Sequence, residues 1–345
     1  MTSILVIGDQ HFKVDNIIEI DIFINIVIDI IETKNPDFVV LLGDLLHTHE
    51  KLHTIPLNKA CEFINKIRLL TKVFILVGNH DYQCNSQYLT ENHWLNFLKE
   101  WENIVVVDKV FKEIINGHKF IFSPYVYVGR FEEALNTIGD EWKDASLIFA
   151  HQEFYGVKMG SIISVEGDKW DKDYPNVVSG HIHDKQHLQE NIYYTGSSLE
   201  MNYGDTQNNT IALINFENNE SKVYKLEEIE LNLPKKKIIY TTIDDIKTYK
   251  VDKESEDKVK ISISGEYEEF KIFKKSNKYK ELVNKGVKVI FKPKKIEMKL
   301  KNDSLQENIN NNNGSNNFLK ILDDIILVQD NPYLRQVFDL VVHSH

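Results

Sequence analysis

Along the first 216 residues, short apolar runs alternate with longer stretches in which apolar side chains recur every three or four positions. The runs at 4–7, 38–42, 73–77, 104–107, 120–123, 147–150, 177–179, 192–195 and 211–216 predict strands. The stretches at 16–32, 56–70 and 89–100 predict helices. Strand, helix, strand at the outset predicts α/β layering with parallel neighbours, and the closer spacing later predicts antiparallel pairs. The longest apolar stretch, 17–31, carries Glu19, Asp21 and Asp29. A membrane span needs about 20 nearly uncharged residues, so this one reads as a helix lying on a core.

Beyond residue 216 the pattern changes. A second region reads strand (259–264), helix (279–284), strand (287–291). A polar tract, 302–317, contains four consecutive asparagines and cannot bury a core, so it predicts a linker. In the last segment, 318–345, Leu319, Leu322, Ile325 and Ile326 lie on one side of Asn331-Pro332, and Leu334, Val337, Phe338 and Val341 on the other. Both sets have helical spacing, as expected of a docking element for a partner or of helices packed back on the body.

Composition narrows the class. With 345 residues, 42% hydrophobic and 27% charged, the chain has material for two or so domains and is neither fibrous nor wholly disordered. Two cysteines, Cys61 and Cys84, are too few for a disulfide framework and point to a reducing compartment, cytoplasmic or nuclear. A strand beginning at residue 4 leaves no basic secretory leader before it. Richness in Lys, Asn and Ile fits an AT-rich genome, a viral one included. The net charge of −11 is unevenly spread: residues 230–301 hold 20 Lys against 12 acidic residues, a local balance of +8. A basic segment on an acidic body can engage phosphates locally, although a lysine-rich solvated surface is the blander explanation.

The chemistry lies at the ends of the apolar runs. The first ends in Gly8-Asp9-Gln10-His11, the second in Gly43-Asp44 with His47 three residues on, and the third in Gly78-Asn79-His80-Asp81. Two later runs end in His151 and in Gly180-His181-Ile182-His183. In open α/β sheets the carboxyl ends of strands are where sites assemble. Any one such ending is a common turn, but five in order point to a shared site. Mixed Asp and His donors without thiolate suit Mn²⁺, Fe²⁺ or Zn²⁺ in a catalytic site. Asp9, His11, Asp44, Asn79, His151, His181 and His183 make seven plausible ligands, enough for two ions if Asp44 is shared. His49, His53, His93, His118, His187, His343 and His345 follow no such pattern and are expected to be structural or solvent-facing, although His49 and His53 flank the loop after Asp44, within reach of a substrate. Cys84 is expected not to bind metal, and Glu153 to sit near the site without doing so.

This ordered set resembles the calcineurin-like metallophosphoesterase superfamily over residues 1–216. The resemblance implies an α/β fold: a four-layer αββα sandwich carrying a dinuclear centre. One metal would take Asp9, His11, Asp44 and His183, the other Asp44, Asn79, His151 and His181. His80 would contact the scissile phosphate and protonate the leaving oxygen, oriented by Asp81. Gly43-Asp44-Leu45-Leu46-His47 and Gly180-His181-Ile182-His183, followed by Tyr194-Thr195-Gly196-Ser197, are similar to the SbcD family of DNA-repair nucleases, including its phage members. There the residue matching His47 also assists near the phosphate. That resemblance implies a nuclease domain (1–216), a small α/β capping domain that contacts DNA (217–301), a linker (302–317) and a helical segment (318–345) that binds a coiled-coil ATPase of SbcC type. It also implies two Mn²⁺ ions, a homodimer formed through 57–70 or 89–100, and 3′→5′ exonuclease and single-strand or hairpin endonuclease activity. The competing expectations are a same-fold phosphodiesterase for small phosphodiesters and, less favoured because no ligand is missing, a non-enzymatic scaffold.

Overall fold

The computed structural model describes residues 1–49, 51–204, 208–217, 222–250, 256–293, 322–323, 325–327 and 332–342. Its first half runs β1 (Thr2–Ile7), α1 (Ile17–Lys34), β2 (Phe38–Leu41), α2 (Thr54–Arg68), β3 (Lys72–Leu76), β4 (Ile104–Val107), β5 (Phe111–Ile115), β6 (His118–Phe122), α3 (Phe131–Leu135) and β7 (Leu147–His151). There follow β8 (Lys158–Met159), β9 (Ile162–Ile163), β10 (Val177–Gly180), β11 (Gln186–Gln189), β12 (Ile192–Tyr194), β13 (Thr210–Phe216) and β14 (Tyr224–Glu230). These strands form two six-stranded sheets, ordered β14-β13-β1-β2-β3-β4 and β11-β12-β10-β7-β6-β5, beside the small β8–β9 hairpin.

Burial on every face explains the layering. Even-numbered residues of β1, β2 and β3 (Ile4, Val6, Phe38, Val40, Phe74) meet Phe120, Phe122, Phe149 and Val178 of the second sheet in the central core. There Phe74 stacks on Phe122 at 4.3 Å between ring centroids. The opposite face of the first sheet (Leu5, Ile7, Val39, Leu41, Ile75) is covered by α1 and α2 through Ile20, Phe23, Ile24 and Val27, and Ala60, Phe63, Ile64 and Ile67. Both helices carry the apolar stripe that three- and four-residue spacing places on one side. The outer face of the second sheet is covered by α3 and by Trp142 and Trp170. These two sheets and their helices thus form a four-layer αββα sandwich, as the resemblance implied.

Three local expectations differ from the structure. The expected antiparallel pairs are present in β5–β6, β11–β12 and β13–β14, but β6, β7, β10 and β12 are parallel, because long excursions between β6 and β7 and between β7 and β10 return the chain to its starting side. The stretch 89–100 forms only a 3₁₀ turn, Trp94–Glu100. Leu89 has φ 43° and His93 is extended, while the Trp94 indole N–H donates to Asp81 at 2.8 Å, which draws the segment towards the site. Third, β14 pairs with β13 from Thr210↔Glu230 to Phe216↔Tyr224. The first sheet therefore runs past residue 216, the end expected for the first domain.

After β14 the chain forms β15 (Lys236–Thr242), α4 (Ile243–Ile246), β16 (Lys258–Gly265), α5 (Tyr267–Phe273), α6 (Asn277–Asn284) and β17 (Lys288–Pro293). The three strands are parallel, with β16 central. Ile261, Ile263, Phe270, Phe273 and Leu282 give this subdomain its own core. Thr242 and Ser276 cap α4 and α6 by accepting backbone N–H bonds from Asp245 and Tyr279. Two buried residues of the sandwich tie it down: Glu19 pairs with Lys258 at 2.7 Å, and Glu200 accepts the Lys236 backbone N–H at its carboxylate and the Lys236 ammonium at its carbonyl. Residues 1–293 form one compact unit. In the C-terminal unit, α7 (Pro332–Val342) covers the second of the two helical patterns, and Arg335 pairs with Asp323 at 2.6 Å. The expected linker, 302–317, lies outside the described residues. Among the described residues no helix is long and apolar enough to cross a membrane.

Candidate metal centre

β1, β2, β3, β7 and β10 deliver their following turns to one edge of the sandwich. Asp9 and His11 follow β1, Asp44 follows β2, Asn79, His80 and Asp81 follow β3, His151 ends β7, and His181 and His183 follow β10. The turns are sharp: His11 (φ 45°), Asp44 (φ 53°) and His181 (φ 78°) occupy left-handed backbone, uncommon for residues with a Cβ. Hydrogen bonds hold them there. The His11 N–H donates to the Asp44 carbonyl at 2.9 Å, and the His181 N–H to the Asp9 carboxylate at 3.0 Å. Gly43 (φ 103°) opens the second turn, and a Cβ on Gly78 would strike the Asp44 carboxylate.

All seven expected ligands converge. Asp9, His11 and His183 form one cluster and Asp44, His151 and His181 another, the donor atoms in each lying within 4.8 Å of one another. In the first, His11 Nε2 and His183 Nε2 face each other at 2.9 Å. Asp9 Oδ2 stands 3.9 and 3.8 Å from them, buried and without a hydrogen-bond partner. In the second, Asn79 Oδ1 faces His151 Nε2 at 3.1 Å and His181 Nδ1 at 2.9 Å. Asp44 Oδ2 is 3.5 Å from His11 Nε2 and 3.5 Å from His151 Nε2, so one oxygen stands between the clusters. An orphaned buried carboxylate oxygen among imidazole nitrogens is costly without a cation, and this oxygen–nitrogen donor set fits divalent ions.

Electrostatics follow from burial and neighbours. Burial, with His183, His80 and His47 beside it, pushes the His11 imidazole well below its ordinary value despite Asp44. The ring is neutral, as a ligand must be. Burial opposes the Asp44 charge, but His151, by charge and hydrogen bond, and His11 hold the carboxyl well below the usual range. Burial likewise opposes a charge on His151, yet Asp44 and Asp9 raise that ring to about 9. The His151 Nδ1–H donates to the Leu42 carbonyl at 2.6 Å, which fixes the ring and leaves Nε2 for the site.

Three histidines crowd the mouth. His80 Nδ1 lies 2.6 Å from the His47 carbonyl, and its ring meets His11 edge-on at 4.8 Å and stacks offset on His47 at 5.6 Å. Asp81 does not orient His80, contrary to the implied role. Its Oδ2 accepts the backbone N–H groups of Asp44 (2.9 Å) and Gly78 (3.0 Å), and its Oδ1 accepts from Trp94. Burial and the neighbouring Asp44 charge raise the Asp81 carboxyl to about 6. Asp81 is thus a brace for the Asp44 turn. Sequence reasoning also set His49 aside, yet its ring stacks on His80 at 4.2 Å. Its spacing of two from His47 was the available signal. Glu153 sits as expected beside the site, its carboxylate 3.8 Å from His181 Nε2 and bonded by Ser164. Cys84 is exposed and belongs to neither cluster.

The centre opens into a cleft of about 730 Å³, lined among others by Asp44, Asn79, His80, Lys185, Ser197 and Asn202. Residues 2–185 match the family model described as calcineurin-like phosphoesterase. The chain belongs to this family, whose members hydrolyse phosphoesters with divalent metals. It is 43% identical over 324 residues to the 078R protein of Invertebrate iridescent virus 3, covering 93% of this chain and 90% of that one. It is 47% identical over 278 residues to the 244L protein of Invertebrate iridescent virus 6, covering 79% of this chain and 98% of that one. Both relatives carry phosphoesterase names. The crystal structure of TT1561 from Thermus thermophilus matches 67% of this chain and 99% of its own at 10% identity, with a TM-score of 0.43.

Proposed function

We propose that this chain is an Mn²⁺-dependent DNA nuclease of SbcD type, acting in double-strand-break repair and recombination. Its activities are 3′→5′ exonuclease on duplex ends and endonuclease on single strands and hairpins. Asp9, His11, Asp44 and His183 would hold one ion and Asp44, Asn79, His151 and His181 the other, with Asp44 between them. Bound there, the ions supply Lewis-acid charge to the phosphoryl oxygens and acidify the attacking water. His80 gives a proton to the departing oxygen, His47 holds the His80 ring through its carbonyl, and Asp81 braces the Asp44 turn.

One observation carries the choice of DNA over a small ester: the lysines and the exposed tyrosine on one face of the subdomain sheet. Odd-numbered residues such as Ile239, Ile261, Ile263 and Phe291 face its helices. Alternation therefore puts Tyr240, Lys260, Lys288 and Lys292 on the other face. Tyr240 is 69% exposed, with the Lys292 ammonium 5.5 Å from its ring centroid. Lys260 lies 5.1 Å from the ring of Tyr203, next to the cleft-lining Asn202 and Gly204. Lysines interleaved with an exposed aromatic suit a nucleic-acid backbone with splayed bases, whereas a small phosphodiester has no use for them. Exposed Leu69, Leu70 and Phe97 on the outer helical layer support a homodimer there. The C-terminal helical segment is the proposed seat of a coiled-coil ATPase of SbcC type.

The test is Mn²⁺-dependent degradation of end-labelled duplex DNA by the wild type, Asp44→Ala and His80→Ala. Degradation by the wild type alone, with both ions retained in His80→Ala, supports the reading. Intact DNA alongside hydrolysis of bis-p-nitrophenyl phosphate would sink the nuclease and leave a small-phosphodiester enzyme.

A further inference from the structure

The acid that serves the leaving group must be held in place as well as protonated. A carbonyl only accepts, so the 2.6 Å contact to the His47 carbonyl puts a hydrogen on His80 Nδ1 and leaves Nε2 as the ring atom to carry the acid proton, with His80 lining the cleft. One hydrogen bond fixes a ring at a single point and leaves it free to swing about that point. The swing is blocked where another flat surface covers the ring. His49 provides that surface: the two centroids are 4.2 Å apart and the planes only 21° from parallel. His11 touches the ring edge-on and His47 is offset at 5.6 Å, so neither covers the face as closely. The loop after Asp44 thus grips His80 twice, by its edge through the His47 carbonyl and by its face through His49.

We propose that His49 is a positioning residue for His80, holding Nε2 in line with the ester oxygen that leaves. The inference rests on the phosphodiesterase reading with His80 as the acid. In that step water adds its oxygen to phosphorus as the phosphorus–ester bond breaks. The bonding pair goes to the leaving oxygen, which takes the proton from His80 Nε2. The proton shed by the attacking water leaves to solvent, from which His80 is reloaded.

Leaving groups separate this role from a merely structural one. p-Nitrophenolate departs without a proton, whereas phenolate gains from one. Steady-state hydrolysis of bis-p-nitrophenyl phosphate and of diphenyl phosphate with Mn²⁺ is compared for the wild type, His80→Ala, His49→Ala and His49→Phe. His80→Ala is expected to lose about 10²–10⁴-fold in kcat on the phenyl ester and far less on the nitrophenyl ester. In His49→Ala the ratio of phenyl to nitrophenyl kcat is expected to fall about tenfold or more, with KM little moved. His49→Phe, which keeps a flat face against His80, is expected to restore the ratio. Equal losses on both esters in His49→Ala, or no recovery in His49→Phe, would overturn the proposal. A flat response in His80→Ala would instead remove the acid on which it rests, so the two failures are told apart.

Discussion

Asp44 concentrates the logic of the site in one side chain. Its Oδ1 accepts the His80 backbone N–H at 2.8 Å and its Oδ2 stands between the two clusters. Its own N–H is held by Asp81. Moving it by a fraction of an ångström would disturb both clusters and the His80 turn together. His151 gives this arrangement a measurable proton linkage. In the metal-free protein its pKa lies at about 9, above the ordinary 6.5. The stability it contributes is therefore full below 6.5 and lost as the pH rises through about 9. Metal affinity has the opposite sign, because the ion must displace that proton, and should climb across the same window. Titrating Mn²⁺ into metal-free protein at neutral pH, in buffers of differing ionisation enthalpy, should report proton release. Heats independent of the buffer would contradict the linkage.

Among the elements, the outer helices matter to the site through one aromatic contact. Phe12 directly follows His11 of the first cluster, and its ring packs 6.0 Å from both Phe23 of α1 and Phe63 of α2. Phe63→Ala removes a fully buried ring and should lower stability by about 3–5 kcal/mol, read from urea midpoints. Mn²⁺ affinity should drop as the His11 turn loosens, and an unchanged midpoint would contradict this packing. The strands that deliver the clustered Asp and His residues were legible because each is a short apolar run ending in a polar turn, through a glycine in every case but β7, a local signal. The segments that misled are governed by distant partners. Residues 89–93 follow the pull of Asp81 on Trp94, and β14, rich in glutamate, finds its place only through the register of β13. The role of His49 was only hinted at by its place two residues after His47, since a ring stack between residues 31 positions apart leaves no periodic trace. Asp81 was misassigned because adjacency to His80 in sequence says nothing of where its carboxylate points.

For the whole molecule, the lysine face and the acidic body divide the surface electrically. Replacing Lys260, Lys288 and Lys292 by Glu should weaken duplex binding and flatten the slope of log affinity against log salt by about 0.9 for each phosphate that is no longer neutralised. Hydrolysis of bis-p-nitrophenyl phosphate should persist, and an unchanged salt slope would mean that DNA binds elsewhere. The acidic residues have their own place: β14 is an outer strand of the first sheet and carries Glu227, Glu228 and Glu230, charges that discourage another chain from pairing along that edge. The strand order has a consequence in time. β1 lies between β2 and β13, and the candidate ligands run from Asp9 to His183, so the pieces made first wait for those made last. At about 5–20 residues per second, synthesis takes tens of seconds to reach β13. A ribosome-bound chain that has emerged only as far as Asp44 owns the carboxylates of the centre but not the imidazoles of β7 and β10. Metal loading therefore belongs after synthesis of the sandwich, and a truncated product of translation cannot become a half-active hydrolase.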